Sequence, residues 1–264
     1  MSMEGEHHGK GLYLIMKNVV GLITVRSEST RLPGKCFLPL GNKTVIEAVI
    51  DRCIHSKIIP IICTTISSAD DRLEKLSKKL NIKIYRGSIK NKMQRWLKCA
   101  ELFNLEDFHT IDADDPFFDQ DLIKNSMKLR RDSDLDFVKP SEYSSNGGAS
   151  VGYSIKTNYL RSIIKNTPDN LDTEMINNFI ESGTDNSSSH IEEYQTLNYQ
   201  IRLTLDYEED YWLISTIFRI LGPVPERKKI IELFKVNPDL HNINFFRNDD
   251  WSTRQKEQIE SQKQ

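Results

Sequence analysis

Several features that would assign the protein to a common class are missing from its sequence. Its 36 lysine and arginine residues are offset by 38 aspartate and glutamate residues, which leaves a net charge of −2. The chain therefore lacks the surplus of positive charge on which nonspecific nucleic-acid binding depends. It also lacks a run of the ~20 apolar residues that a membrane-spanning helix needs, because its longest nearly apolar stretch, Val19–Val25, is far shorter. Neither a nucleic-acid partner nor a membrane partner is expected.

Cysteine is scarce and widely spaced. The four cysteines are Cys36, Cys53, Cys63 and Cys99, and the sequence contains neither a CxxC nor an HxxxH pattern. This spacing argues against a disulfide framework and against a zinc site of the usual kind. We therefore expect a reduced, cytoplasmic protein.

The length of 264 residues allows one large domain or two small ones at ~150 residues per domain. We expect a single domain over about 18–248. A flexible leader or tag remnant at 1–17 precedes it, and a charged, glutamine-rich tail at 249–264 follows it.

Short apolar runs alternate with helical patterns in the first half of the chain. Strands are predicted at Val19–Val25, Ile61–Thr65, Ile82–Tyr85 and Phe108–Ile111. A capping box formed by Thr44 and Glu47 predicts the start of the first helix between them. Such alternation is typical of β-α-β units on a parallel sheet. The predicted fold class is therefore α/β, with an open and mostly parallel sheet.

The alternation breaks after Asp134. The segments predicted beyond it are strands at Leu135–Val138 and Ala149–Ile155, a polar loop at Ser182–Ser189, a strand at Gln200–Leu205 and a helix at Glu208–Leu221. The segment at about 139–199 is predicted to be an insertion on the sheet, with its own strands and helices.

The strongest local signal is the loop Arg26–Lys35, which directly follows the first predicted strand. It contains three cationic residues and three hydroxyl residues. Ligands of open α/β sheets bind at the carboxyl ends of the strands, where this loop must lie. Arginine and lysine side chains there could surround an oligophosphate. The loop matches neither the Walker pattern nor GxGxxG, and a solvated basic turn is the simpler alternative.

Two acidic clusters follow other predicted strands. Asp112–Asp115 comes after the fourth strand, and Asp206–Asp210 comes after the strand at Gln200–Leu205. Both clusters should emerge at the same sheet edge as the basic loop. Carboxylate oxygens are the ligands that Mg²⁺ prefers. Helix capping explains Asp119 and Asp210 equally well, but not Asp114 or Asp206, which lie at the ends of strands.

An ordered series of motifs makes the chain similar to a known family. The pattern Arg-x-x-Ser-Thr-Arg-Leu-Pro-Gly-Lys at Arg26–Lys35 resembles the signature loop of the CMP-sugar-acid cytidylyltransferases, which include CMP-Kdo synthetase. The spore-coat polysaccharide F-type branch is the closer match. The further motifs, in the family's order, are Cys63-Thr-Thr65 with Asp70-Asp71, Arg86-Gly-Ser88, Gln94-Arg95-Trp96, Asp114-Asp-Pro116, and Leu203-Thr-Leu-Asp206 with Glu209-Asp210. The resemblance covers about Val19 to Leu221.

This resemblance implies a Rossmann-like nucleotide-diphospho-sugar transferase fold and a role for each matching residue. Arg26 and Lys35 would hold the triphosphate and act in catalysis together with the two aspartates. The substrate-binding residues would be Ser29 and Arg31 in the same loop, and Thr64, Thr65, Gln94 and Arg95 near the base or ribose. Asp114 and Asp206 would bind Mg²⁺.

The resemblance also implies the reaction. A hydroxyl group of a sugar acid, of the 3-deoxy-ulosonate type, would attack the α-phosphate of CTP and release pyrophosphate, for surface polysaccharide synthesis. A homodimer through the 140–200 segment is expected. Lys139, Tyr143 and Tyr153 are expected to face the acceptor.

Two other functions remain open. Asp112-Ala-Asp114 fits the DxD motif of glycosyltransferases that use a nucleotide sugar and a divalent cation. A catalytically silent nucleotide-binding homologue is the second alternative. The GxSxG match at Gly148–Gly152 is interpreted as chance, because a nucleophile elbow needs a strand before the serine and a helix after it.

Overall fold

The computed structural model describes residues 18–165, 171–173, 176–180, 187–192 and 197–253. Its strands are β1 (Val20–Thr24), β2 (Pro39–Leu40), β3 (Lys43–Thr44), β4 (Ile59–Thr65), β5 (Lys83–Gly87), β6 (Asp107–Asp112), β7 (Phe137–Lys139), β8 (Ser154–Lys156) and β9 (Ser188–His190). The predicted leader and most of the predicted tail lie outside the described residues.

Seven of the strands form one sheet in the order β5-β4-β1-β6-β8-β7-β9. β1 pairs in parallel with β4 and β6, β4 with β5, and β7 with β9. Only β8 is antiparallel to its neighbours β6 and β7, so the other six strands run in one direction. The predicted α/β class and the mostly parallel sheet are confirmed.

Helices cover both faces of this sheet. They are α1 (Val45–His55), α2 (Asp71–Leu80), α3 (Lys92–Leu102), α4 (Gln120–Asp132), α5 (Glu142–Ser145), α6 (Thr157–Ile164), α7 (Asn177–Ile180), α8 (Glu208–Leu221) and α9 (Arg227–Val236). The boundaries of α8 agree with its prediction.

The side chains of β1 contribute to two hydrophobic cores, because successive side chains of a strand point to opposite faces of the sheet. Ile23 packs with residues of α1, α2 and α4, whereas Leu22 packs with residues of α3 and α6. A third core joins α8 and α9 to α1 through Val45 and includes Leu203 and Leu205. This third core fixes the later part of the chain against the sheet's carboxyl edge.

Local signals account for two of the helix starts. The Thr44 hydroxyl accepts from the Glu47 backbone amide, and the Glu47 carboxylate accepts from the Thr44 amide, which completes the predicted capping box. Asp119 caps α4 by accepting from the amides of Asp121 and Leu122. Both contacts satisfy amides that the first turn of a helix leaves without a partner.

The structure differs from the predictions in the second half of the chain. The predicted strand at Gln200–Leu205 is not a strand of either sheet, because its amides bond to loop carbonyls: Leu203 to Gly147, and Leu205 to Asp114. The predicted polar loop at Ser182–Ser189 lies partly outside the described residues, and its last two residues begin β9. The strand expected at Ala149–Ile155 starts only at Ser154.

No helix among the described residues is both long enough and apolar enough to cross a membrane.

Candidate active site

The basic loop leaves the sheet at the carboxyl end of β1. The Val25 amide still bonds to the carbonyl of Cys63 at 3.3 Å, so the loop starts beside β4. Gly34 adopts φ 66°, a left-handed conformation that suits glycine, and precedes a short 3₁₀ helix at Lys35–Phe37. This turn reverses the chain and sends the Lys35 side chain back over the edge of the sheet.

The Lys35 ammonium joins the two acidic clusters. Its Nζ lies 2.6 Å from Asp114 Oδ2 and 2.9 Å from Asp206 Oδ1, and a third bond of 2.9 Å goes to the Leu205 carbonyl oxygen. An ammonium group has three donors, and three acceptors meet it here. The prediction that the basic loop and both acidic clusters share one sheet edge is confirmed.

These contacts set the charge state of the pair. Burial by itself would lower the pKa of Lys35, but the charges of Asp114 and Asp206 outweigh it and raise the pKa above its usual value. Desolvation would raise the pKa of Asp114, and the Lys35 charge overcomes that effect and lowers it. Lys35 is therefore cationic and Asp114 anionic at neutral pH.

The carboxyl group of Asp115 behaves oppositely to that of its neighbour Asp114. Burial raises the pKa of Asp115 well above its usual range, and the nearby charges of Asp114 and Asp112 add to the shift. Asp115 is 3% exposed, and its Oδ1 has no hydrogen-bond partner. Of the two adjacent aspartates, only Asp114 forms an ion pair with Lys35 among the described contacts.

Arg31 is a second cation on Asp206. Its NH2 nitrogen lies 2.5 Å from Asp206 Oδ1, the oxygen that Lys35 also contacts. Ser29 Oγ faces the Leu32 amide at 3.4 Å within the same loop, and Arg26 is exposed where the loop begins. The structure thus brings Arg31 and Lys35 together on one carboxylate, whereas Arg26 and Ser29 border the site.

The hydroxyl groups of Thr64 and Thr65, at the end of β4, point inward to Asp70. Asp70 Oδ2 accepts from Thr64 Oγ1 at 2.9 Å, from the Thr65 hydroxyl, and from the Thr65 amide at 3.2 Å. Asp70 Oδ1 accepts from the Ser27 amide at 2.7 Å, which ties β4 to the basic loop. Both threonines are buried, so they support the basic loop through their hydrogen bonds to Asp70.

Desolvation of Asp70 would raise the pKa of its carboxyl group, but hydrogen bonds from Thr65, Ser27 and Thr64 lower it below its usual value. Asp70 is one of the residues whose role the sequence did not reveal. It is the N-cap residue of α2, yet its side chain makes no capping bond to that helix.

Gln94 and Arg95 lie on the first turn of α3, beside the carboxyl end of β5. Arg95 is 3% exposed, and its NH1 nitrogen donates to the Ser88 carbonyl at 2.6 Å. The Gln94 amide bonds to Asn91 Oδ1, the cap of the helix, and the Gln94 side chain is half-buried. An added Cβ on Gly87 would lie 3.2 Å from Arg95 Cγ, so glycine permits this close packing.

The residues expected to face an acceptor lie on the inserted segment. Lys139 ends β7, in register with His190 of β9. Tyr153 precedes β8; its amide donates to Thr110 Oγ1 at 2.8 Å, and its carbonyl accepts from the Thr110 amide at 2.8 Å. Tyr143, on α5, is 9% exposed and packs in the third core. Lys139 and Tyr153 are half-buried at the carboxyl edge, whereas Tyr143 is mostly covered.

The chemistry of Asp114 and Asp206 fits a divalent cation. Within the described part of the chain, no group of three or more His, Cys, Asp and Glu side chains is arranged to hold a metal. The two carboxylates nevertheless share one cation, the Lys35 ammonium. Mg²⁺ commonly takes one or two protein carboxylates and completes its coordination with phosphate oxygens and water.

Comparisons with known proteins found a matching family and similar chains. A family model described as cytidylyltransferase matches residues 20–167. The spore coat polysaccharide biosynthesis protein SpsF of Bacillus subtilis (strain 168) is 24% identical over 246 residues, which cover 85% of this chain and 97% of that protein.

Solved structures of similar fold were also found. A cytidylyltransferase from Leptospira borgpetersenii superposes with a TM-score of 0.72 at 22% identity, covering 85% of this chain and 96% of that one. CMP:2-keto-3-deoxy-manno-octonic acid synthetase complexed with CTP has a TM-score of 0.57 at 12% identity, covering 77% of this chain and 99% of that one.

Proposed function

Because this chain belongs to the cytidylyltransferase family and is accordingly a nucleotidyltransferase, we propose that it transfers CMP from CTP to a sugar acid of the 3-deoxy-ulosonate type. Pyrophosphate is the second product. The observation that carries the proposal is the Lys35 ammonium held between Asp114 and Asp206 at the carboxyl edge of the sheet. The names of two similar proteins support the substrate class: a spore coat polysaccharide protein and a synthetase of a CMP-linked octonic acid.

In the proposed reaction an acceptor hydroxyl oxygen attacks the α-phosphorus of CTP, and the hydroxyl proton is released to solvent. The bond from that phosphorus to the bridging oxygen of the β-phosphate breaks, and negative charge develops on the leaving pyrophosphate. Arg26 and Lys35 offset this charge, and Ser29 and Arg31 line the same loop. Positioning and charge neutralisation are the main requirements of such a step.

Asp114 and Asp206 are the proposed ligands of Mg²⁺. The bound ion supplies neutralisation of phosphate charge and a fixed orientation of the phosphate oxygens. Arg31 and Lys35 contact these carboxylates in the structure. Both cations have long, flexible side chains, and in the proposed complex they turn from the carboxylates to the triphosphate.

The base and ribose lie, in this proposal, over the carboxyl ends of β4 and β5. Thr64 and Thr65 act there through the Asp70 network, which holds the Ser27 amide and hence the basic loop. Gln94 and Arg95 close the same side from α3. The acceptor then approaches from the inserted segment, past Lys139 and Tyr153, with Tyr143 beneath them. We propose a homodimer through that segment.

A pyrophosphate-release screen tests the function. Four nucleoside triphosphates are crossed with a panel of 3-deoxy-ulosonic acids and of neutral sugars of similar size, with and without Mg²⁺. Release is expected with CTP, Mg²⁺ and a sugar acid together. Mass spectrometry should then find the CMP-linked acid. Release that is independent of the acceptor, or equal with all four nucleotides, would contradict the proposal.

A further inference from the structure

The segment that carries Asp206 has little support from the sheet. Residues 201–205 belong to no strand or helix, and the backbone amides of Leu203, Thr204 and Leu205 bond to loop carbonyls, with Leu205 bonded to the Asp114 carbonyl at 2.7 Å. These bonds fix the path of the chain but not the orientation of the Asp206 side chain. Another group has to determine which way that carboxylate faces.

Asp210, in the first turn of α8, is the centre of a buried hydrogen-bond cluster beside Asp206. Its Oδ2 accepts from the amides of Asp206 at 2.8 Å and Tyr207 at 2.9 Å. Its Oδ1 accepts from Asn244 Nδ2 at 2.9 Å. Asp210 is fully buried, so every one of these donors meets it away from water.

Arg202 connects Asp210 to the other side of Asp206. Its Nε and NH2 nitrogens donate to the two oxygens of Asp210 at 2.8 and 2.9 Å, a planar two-bond pairing. The same NH2 nitrogen lies 3.6 Å from Asp206 Oδ2. One oxygen of Asp206 therefore faces the buried guanidinium, and the other, Oδ1, faces Lys35 and the site.

We infer that Arg202 and Asp210 are positioning residues that orient the Asp206 carboxylate. They keep its Oδ2 directed at the buried Arg202 guanidinium, so that Oδ1 faces the cation site. This inference rests on the proposed metal role of Asp206. Capping α8 requires only a hydrogen-bond acceptor and no buried arginine. Burying an ion pair costs desolvation energy that the pairing often fails to recover, so stability alone is a poor reason for this arrangement.

The test uses a double variant, Arg202→Met with Asp210→Asn, which removes both buried charges and keeps similar volumes. The asparagine oxygen can still accept from the Asp206 and Tyr207 amides, so the chain should fold. The control is Glu209→Gln with Arg247→Met. Glu209 lies on the same turn of α8 as Asp210, and Arg247 binds it with bonds of 2.9 and 3.0 Å. This pair makes no contact with Asp206 among the described interactions.

Formation of the ternary complex with Mn²⁺ and CTP, without acceptor, is followed by water proton relaxation, and unfolding is followed separately. The R202M/D210N variant should bind Mn²⁺ about tenfold more weakly or worse, as outer-sphere partners of metal ligands usually do when removed. Its unfolding should stay cooperative, and the control should bind as the unmodified protein does.

Normal Mn²⁺ binding by the folded double variant would overturn the positioning role. The single variant Asp210→Asn provides a second measurement if the double variant fails to fold. It leaves Arg202 to attract Asp206, so normal Mn²⁺ binding there would also overturn the inference. If the unmodified protein releases no pyrophosphate with any acceptor, the proposed function fails, while the Mn²⁺ titration still decides on Arg202 and Asp210.

Discussion

Lys35 and Asp206 lie 171 positions apart in the sequence, and their side chains meet at 2.9 Å. Lys35 also bonds to Asp114, so its ammonium occupies the space between two carboxylates that have no other common cation among the described contacts. This pairing leads to a prediction about how the site responds to metal.

Lys35→Met should uncover the two carboxylates. Without nucleotide, Mg²⁺ should then raise the melting temperature more than it does in the unmodified protein, because no ammonium competes for the same oxygens. The variant should also need at least tenfold more CTP, since a charged hydrogen bond is worth about 1.5–3 kcal/mol. Differential scanning fluorimetry and pyrophosphate release measure the two effects.

Lys43→Met is the matched control for Lys35→Met. Lys43 pairs with Asp51 away from the site, and its side chain is 42% exposed. Its loss should leave both the Mg²⁺ response and the CTP requirement unchanged. If Mg²⁺ raised the melting temperature of the Lys35→Met protein no more than that of the unmodified chain, the ammonium would not be competing with Mg²⁺ for these carboxylates.

Asp114→Asn and Asp206→Asn should each lower turnover by more than ~100-fold, beyond the usual effect of outer-sphere partners, and leave the fold intact. The physical reason is the loss of a charged oxygen where phosphate charge must be neutralised. Steady-state pyrophosphate release and circular dichroism are the measurements. Asp134→Asn serves as control, because Asp134 is exposed and its φ of 45° suits asparagine. Near-normal activity in both site variants would refute the metal assignment.

Asp70→Asn should destabilise the protein in a pH-dependent way. The pKa of Asp70 is lowered in the folded state, so its contribution is present above the unfolded value of about 3.9 and is lost as the pH falls below it. At pH 7 the variant should lose about 2 kcal/mol of unfolding free energy, as expected for hydrogen bonds to a charged group. Urea unfolding from pH 7 to pH 3 checks this, and a deficit that stays constant over that range would contradict it.

Gly152→Ala should be far more costly than Gly222→Ala. Both glycines have positive φ, 72° and 86°, but an added Cβ at Gly152 would lie 2.0 Å from the Thr110 carbonyl oxygen, whereas nothing lies within 4 Å at Gly222. We expect a loss of about 2–5 kcal/mol at Gly152 and about 1–2 kcal/mol at Gly222. Chemical denaturation measures both, and equal losses would contradict the predicted clash.

Sequence reasoning located the basic loop and Asp114 because both follow buried strands whose carboxyl ends must share one edge. Periodicity and a capping box also predicted α1 and α8. These features depend on residues that are close in the chain, where pattern and local geometry are tightly linked.

Features that depend on distant contacts were not predictable in the same way. Ile201, Leu203 and Leu205 alternate as a strand would, and all three are buried in the third core. Their backbone partners are loop carbonyls, which no periodicity reveals. Asp70 similarly precedes a helix without capping it through its side chain, and it accepts from the Ser27 amide, 43 positions away.

Arg31 and Lys35 give the acidic edge counter-ions from the chain itself. A nucleotide that enters such a site exchanges partners with them, and each new ion pair replaces an old one. The net gain in free energy is then smaller than a count of contacts in the complex would suggest. We therefore expect moderate affinity for the proposed nucleotide and fast release of its charged product, because Arg31 and Lys35 can pair again with Asp114 and Asp206 when the phosphates leave.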